Sequence, residues 1–190
     1  MSGRLVPRLM IAMGAVALLA AMAAPAAAAP RTSFAQLAYT DYSRYIWSED
    51  NDASGKCLDA INYGNGTAMT VFRCQFGANE RWTVTVVDTV NYLGVYYAVV
   101  TFKDDYPGKC LDAWPGHGQQ MVQWACDGTT TQKFLTTWYY NQFGTLQRVF
   151  PTDLESISYP GQCVDIRNWG ADAAVQLWNC NGAYNQQWHW

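Results

Sequence analysis

Three aspartates recur at one interval. Asp59, Asp112 and Asp165 lie 53 residues apart, each two residues after a cysteine. The surrounding words are GKCLDA at 55–60, GKCLDA at 108–113 and GQCVDI at 161–166. A second cysteine follows 17, 16 and 17 residues after the first, at Cys74, Cys126 and Cys180, with an aromatic residue two positions before it: Phe72, Trp124 and Trp178. Eight residues further on comes another aromatic, Trp82, Phe134 and Trp188, closing the words NERW, TQKF and NQQW. An ionised aspartate accepts hydrogen bonds at both oxygens and donates none. A Phe or Trp ring supplies rigid apolar area. The same aspartate can instead cap a turn, and the closing aromatics, at three-fold spacing, fit a common core.

Other chemistry finds less support. The two histidines, His117 in the loop word PGHG and His189 between two tryptophans, stand in no recognisable nucleophile motif. Paired carboxylates act on glycosides, but the nearest pairs, Asp104-Asp105 and Asp50/Asp52, read as solvated turn acids. No catalytic residue is expected. Cysteines 16 or 17 apart without a nearby histidine are poor zinc ligands, so neither metal nor cofactor is expected. Six cysteines allow 15 pairings. The repeat favours pairing within each unit: Cys57 with Cys74, Cys110 with Cys126, Cys163 with Cys180. Each link closes a loop worth roughly 3 kcal/mol in the chain-entropy view.

The elements that hold these residues must be short strands. Residues 96–102 and 82–87 read as strands, the latter by alternation. The words VFRC, VQWAC and VQLWNC read likewise, between Gly- and Asn-rich loops. About four strands per unit give about twelve, and three-fold closure would remove exposed sheet edges.

Ahead of the repeats, Arg4 and Arg8 precede an apolar run over 9–24 and then Ala27-Ala28-Ala29 before Pro30, the order of a secretory signal. The run is shorter than the ~20 residues that span a bilayer, so residues 1–29 are expected to be cleaved and the product secreted. Without Arg4 and Arg8, Lys+Arg falls from 12 to 10 against 15 Asp+Glu, a net charge of −5. That balance argues against nucleic acid and anionic membranes as partners. The remaining 161 residues suit one domain, and three units of 53 nearly fill it. The expected division is a signal over 1–29, an N-terminal arm over 30–43 and the repeats over about 44–95, 96–148 and 149–190.

Cys-Leu-Asp, then Gln-x-Trp-x-Cys, then Asn-Gln-x-Trp, repeated three times, resembles the ricin-type β-trefoil lectin family over 55–190. Only the third unit keeps Gln186-Gln187-Trp188 intact; the others read Glu80-Arg81-Trp82 and Gln132-Lys133-Phe134. The resemblance implies an all-β trefoil, a six-stranded barrel capped by three hairpins, with residues 44–47 supplying the first strand. It also implies sugar sites in which the aspartate accepts from sugar hydroxyls and the aromatic stacks on the C–H face. In the third unit these are Asp165, Gln176, Trp178 and Asn185, with Gln186 buttressing Asp165 or touching a hydroxyl. The first unit offers Asp59, Phe72 and Asn79 but has Thr70 and Glu80 at the other two places. The second offers Asp112, Trp124 and Gln132 but has Val122 and Thr131. The third site is therefore expected to be the best formed. The implied ligands are galactose-type sugars on glycans or polysaccharides, with xylan, arabinan and mannan fragments as further candidates. The alternative is a trefoil that binds proteins through its loops, such as a protease inhibitor. Oligomeric state is not written in the pattern.

Overall fold

The computed structural model describes residues 32–33, 39–49, 55–114, 116–140, 146–168 and 172–190. The expected signal over 1–29 and the acids Asp50 and Asp52 lie outside these residues.

Among the described residues, fifteen strands form one sheet. The N-terminal part gives β1 (Thr32–Ser33) and β2 (Tyr39–Tyr45). The first unit gives β3 (Trp47–Ser48), β4 (Lys56–Ala60), β5 (Thr67–Arg73) and β6 (Arg81–Tyr92). The second gives β7 (Val95–Asp104), β8 (Cys110–Asp112), β9 (Val122–Trp124), β10 (Phe134–Tyr140) and β11 (Leu146–Arg148). The third gives β12 (Glu155–Ser156), β13 (Gln162–Arg167), β14 (Ala173–Asn179) and β15 (Trp188–His189). A single 3-10 turn precedes β6, β10 and β15, at Ala78–Glu80, Thr130–Gln132 and Tyr184–Gln186.

Pairing runs from β7 through β10, β12, β13, β14, β5, β9 and β8 back to β7, so the sheet closes on itself. Closure satisfies strand edges that would otherwise recruit other chains. β1 and β2 add to β6 from outside the repeats, which themselves hold thirteen strands among the described residues. The boundary expected after residue 43 falls inside β2. Its pairing with β6 spans Tyr39↔Val86 to Tyr45↔Arg81, with a bulge between Asp41 and Arg44.

The core follows from strand alternation. Leu58, Leu111 and Val164, each one residue after the first cysteine of its unit, are buried, as are Val71 and Leu177 opposite two of them. Opposite Leu111 stands Gln123, fully buried, whose Nε2 donates to the carbonyls of Asn62 and Gly64. Trp82, Phe134 and Trp188 are all 0% exposed and meet this core. The two indoles are tied identically: Trp82 Nε1 donates to the Leu58 carbonyl at 3.1 Å and Trp188 Nε1 to that of Val164 at 2.9 Å. Trp190 packs at the core edge. Trp47 lies on the seam between first and last units, stacked on His189 at 4.0 Å. The disulfides are the expected three, with Cα separations of 5.0–5.1 Å.

Candidate functional site

Each unit raises one hairpin whose inner face is core and whose outer face carries the aspartate. In the third unit Val164 and Ile166 on β13 and Val175 and Leu177 on β14 point inward and are buried. The other parity pairs Asp165 with Gln176 and Cys163 with Trp178, which puts Asp165, Gln176 and Trp178 on one face. Asp165 is the floor. Its Oδ1 accepts from Gln176 Nε2 at 2.8 Å, and its Oδ2 from Asn185 Nδ2 at 2.8 Å and Gln186 Nε2 at 2.9 Å. Burial pushes this carboxyl above its ordinary range, and the three amide donors, with nearby Arg167, pull it back. Trp178 stays 43% exposed, with the His117 ring stacked on it at 4.7 Å.

Gln186 and Gln176, both assigned to this site, have side chains tied to protein partners. Gln186 is fully buried: its Oε1 accepts from the Asn181 N–H, while its Nε2 also donates to the Asn179 carbonyl. Gln132 repeats the same clamp in the second unit, on the Asp127 N–H, the Ala125 carbonyl and Asp112 Oδ2. These glutamines lock the chain after the second cysteine onto the aspartate. They fix the carboxylate from beneath, because all their polar atoms are already engaged. Gln176 bridges Asp165 and Arg167, whose Nε donates to its Oε1 at 2.6 Å.

The second unit holds a cavity of about 360 Å³ with Asp112 at its floor. Asp112 Oδ1 accepts from the Trp114 N–H at 2.9 Å. Trp114 and Trp124 stand 6.3 Å apart at 54°, both exposed, and form an apolar rim opposite Asp127, Thr129 and Thr131. Sequence reasoning assigned Asp112, Trp124 and Gln132 here and missed Trp114 and Asp127. The only signal for Trp114 was an indole two residues after the aspartate.

The first unit holds a larger cavity, about 490 Å³, containing Asp59, Phe72 and Asn79 as expected, together with Thr70, Glu80 and Asp172. Asp59 lies opposite Thr70 and accepts from Asn79 Nδ2 at 2.9 Å. Burial, then the neighbouring Glu80 carboxylate, pushes Asp59 up to about 6, against the pull of the Asn79 hydrogen bond. Glu80 stands where the other units have the clamping glutamine. Its Oε2 accepts from the N–H groups of Gln75 and Gly77, whereas Oε1 is buried without a partner.

Each site is completed by a turn from the preceding unit around the ring. Eight residues before the second cysteine stand Gly66, Gly118 and Asp172, all with positive φ. Gly66 packs beneath Trp124, and Gly118 beneath Trp178, where a Cβ would lie 3.4 Å from the ring. Asp172 reaches the cavity of the first unit.

One of the acids set aside in the sequence, Asp104, departs from the expectation of a solvated residue. Asp104 is buried, not solvated: its Oδ1 caps a turn by accepting from the N–H groups of Gly108 and Lys109 at 2.6 and 2.8 Å, while Asp105 beside it is exposed. His117 stacks on Trp178, and His189 lies on Trp47 and pairs with Glu49.

Residues 98–190 match the family model described as the ricin-type beta-trefoil lectin domain. A curated relative, Serine protease 1 of Rarobacter faecitabidus, is 35% identical over 177 residues. The match covers 76% of this chain, but the chain spans only 32% of that relative's length. Among solved structures, the designed three-fold symmetric protein ThreeFoil superposes with a TM-score of 0.56 at 22% identity, over 78% of this chain and 95% of its own. The Polyporus squamosus lectin superposes at 0.55 with 17% identity, over 82% of this chain and 49% of its own. These likenesses show a β-trefoil fold. With the repeat, the three hydrogen-bonded aspartates and the matched family model in agreement, residues 98–190 form a ricin-type β-trefoil lectin domain.

Proposed function

We propose that this protein is a secreted, non-catalytic lectin that holds galactose-type or related sugars on glycans or polysaccharides in Asp/aromatic sites. The observation that carries the reading is the shared outer face of Asp165 and Trp178, with Asn185 on the carboxylate. A sugar ring presents hydroxyl donors on its edge and C–H groups on its face. The carboxylate takes the first and the indole the second. Asn185 Oδ1 remains as a further acceptor, since its Nδ2 serves Asp165 and the Ile166 carbonyl.

The cavities of the first and second units, with Phe72 and the Trp114/Trp124 pair as plates, support the same use there. Few polar contacts must offset the ordering of ligand and side chains, so each site binds weakly. Two or three sites on one rigid body raise the avidity for polymers that can engage them together.

The test is a glycan array followed by titration calorimetry with Asp165→Ala, alone and then with Asp59→Ala and Asp112→Ala. Stepwise loss of binding is expected. Unchanged binding in the triple variant, or silence against every glycan, refutes the reading.

A further inference from the structure

The three sites differ most in charge. In the second and third units the clamping glutamine gives an N–H to the aspartate, which disperses its negative charge. In the first unit Glu80 cannot do so while ionised. It replaces the donor with a second carboxylate, one oxygen of which is buried without a partner. The turn arriving from the third unit adds another. Where Gly66 and Gly118 serve the other two sites, Asp172 stands with φ 59° and lines the cavity. Position 80 and position 172 thus depart from the other units in the same direction at the same pocket. The opposite choice appears at the third site, where Arg167 lies two residues after the aspartate; the first unit has Ile61 there.

We propose that the first-unit pocket is a site for sugars carrying a free, protonated amino group, such as 2-amino-2-deoxyhexose units in an oligosaccharide. This deepens the lectin reading and rests on it. The ammonium supplies the N–H donors that position 80 lacks and settles on Asp59, whose Oδ1 accepts from no protein donor among the described residues. Glu80 and Asp172 line the same cavity as that carboxylate. Phe72 is the plate for the ring, and Thr70, shorter than the Gln176 of the third unit, leaves the larger hollow. No Lys, Arg or His lines the cavity among its described residues. An N-acetylated sugar has no cation to offer and meets the three carboxylates only with neutral hydroxyl and amide donors.

The carboxylates facing Asp59 are Glu80 from its own 3-10 turn and Asp172 from the neighbouring turn, and both raise its affinity for a proton. Preference for the amine therefore weakens as pH falls through about 6, where a proton takes the place of the ligand's cation.

The experiment is calorimetric titration at neutral pH with a hexosamine oligomer bearing free amines and with the same oligomer fully N-acetylated, against wild type, Glu80→Gln and Asp172→Gly. Both replacements install the residue that the other units already carry, so the fold accommodates them, and a melting curve verifies this. Wild type is expected to bind the free-amine oligomer at least tenfold more tightly, with affinity falling as salt is added. Each variant should lose several-fold of that preference, and the double variant all of it. Equal affinity for the two oligomers, or a preference that survives in the double variant, overturns the proposal. If neutral galactosides still bind in that case, the lectin reading stands without it. If no glycan of either kind binds, both fall.

Discussion

Glu80→Gln should make the protein more stable near neutral pH and leave it little changed in acid. Asp59 holds its proton up to about 6 rather than the ordinary 3.8, a difference of about two pH units or about 3 kcal/mol of charge destabilisation. Because the folded pKa is raised, the native state binds more protons than the unfolded chain between these values. This contribution is fully present below pH ~4 and is lost as pH rises through ~6. Desolvation is the larger cause and persists in the variant, so removing the Glu80 charge recovers only the smaller part of the difference, on the order of 1 kcal/mol. The new amide donor to Asp59, equivalent to the 2.9–3.0 Å bonds made by Gln186 and Gln132, adds about 1 kcal/mol more. A domain of this size gains about 2–4 °C per kcal/mol, so melting near pH 7 should rise by roughly 4–8 °C. Near pH 4 the gap should shrink to about 2 °C or less, since Asp59 is then protonated in both proteins. Differential scanning calorimetry across that range measures the difference curve. A variant equally stabilised at both ends, or destabilised at neutral pH, would refute the carboxylate conflict.

Trp188→Phe should cost about 1–3 kcal/mol, from the lost bond to the Val164 carbonyl and the space left in a sealed core; urea unfolding measures it. Replacing Cys163 and Cys180 together by alanine should lower stability by about 3 kcal/mol without altering the far-UV spectrum of the folded chain. Trp114→Ala and Trp124→Ala should each weaken sugar binding at the second unit about 3- to 10-fold, read by titration in a background carrying Asp165→Ala.

The repeat made the scaffold legible. Cysteine pairs in phase with Trp82, Phe134 and Trp188 dictate both the disulfides and the common core, because identical words must occupy equivalent places around a three-fold axis. Within each hairpin, alternation separates Val164 from Asp165 and so identifies the outward carboxylate. The neighbours across the ring were not legible. Asp172 belongs to the third unit by sequence and to the first pocket in space, and the loop carrying His117 belongs to the second unit but lies on Trp178. Such contacts join residues about 60 to 110 positions apart that share no repeat word. The roles of Gln186 and Gln132 stayed open for a different reason. A polar side chain near a sugar looks like a ligand contact until its own donors and acceptors are counted.

The circular pairing also has a consequence for how such a protein can change. No unit owns its core, so a fragment lacking the third unit would open the edges of β5 and β10, and one lacking the first would open those of β7 and β14. The residues around each recess, by contrast, are released from that obligation. A residue such as 80 or 172 can alter the chemistry of one recess while the other two and the girdle of strands hold the body together, so a single chain can carry three receptors of different taste on one frame.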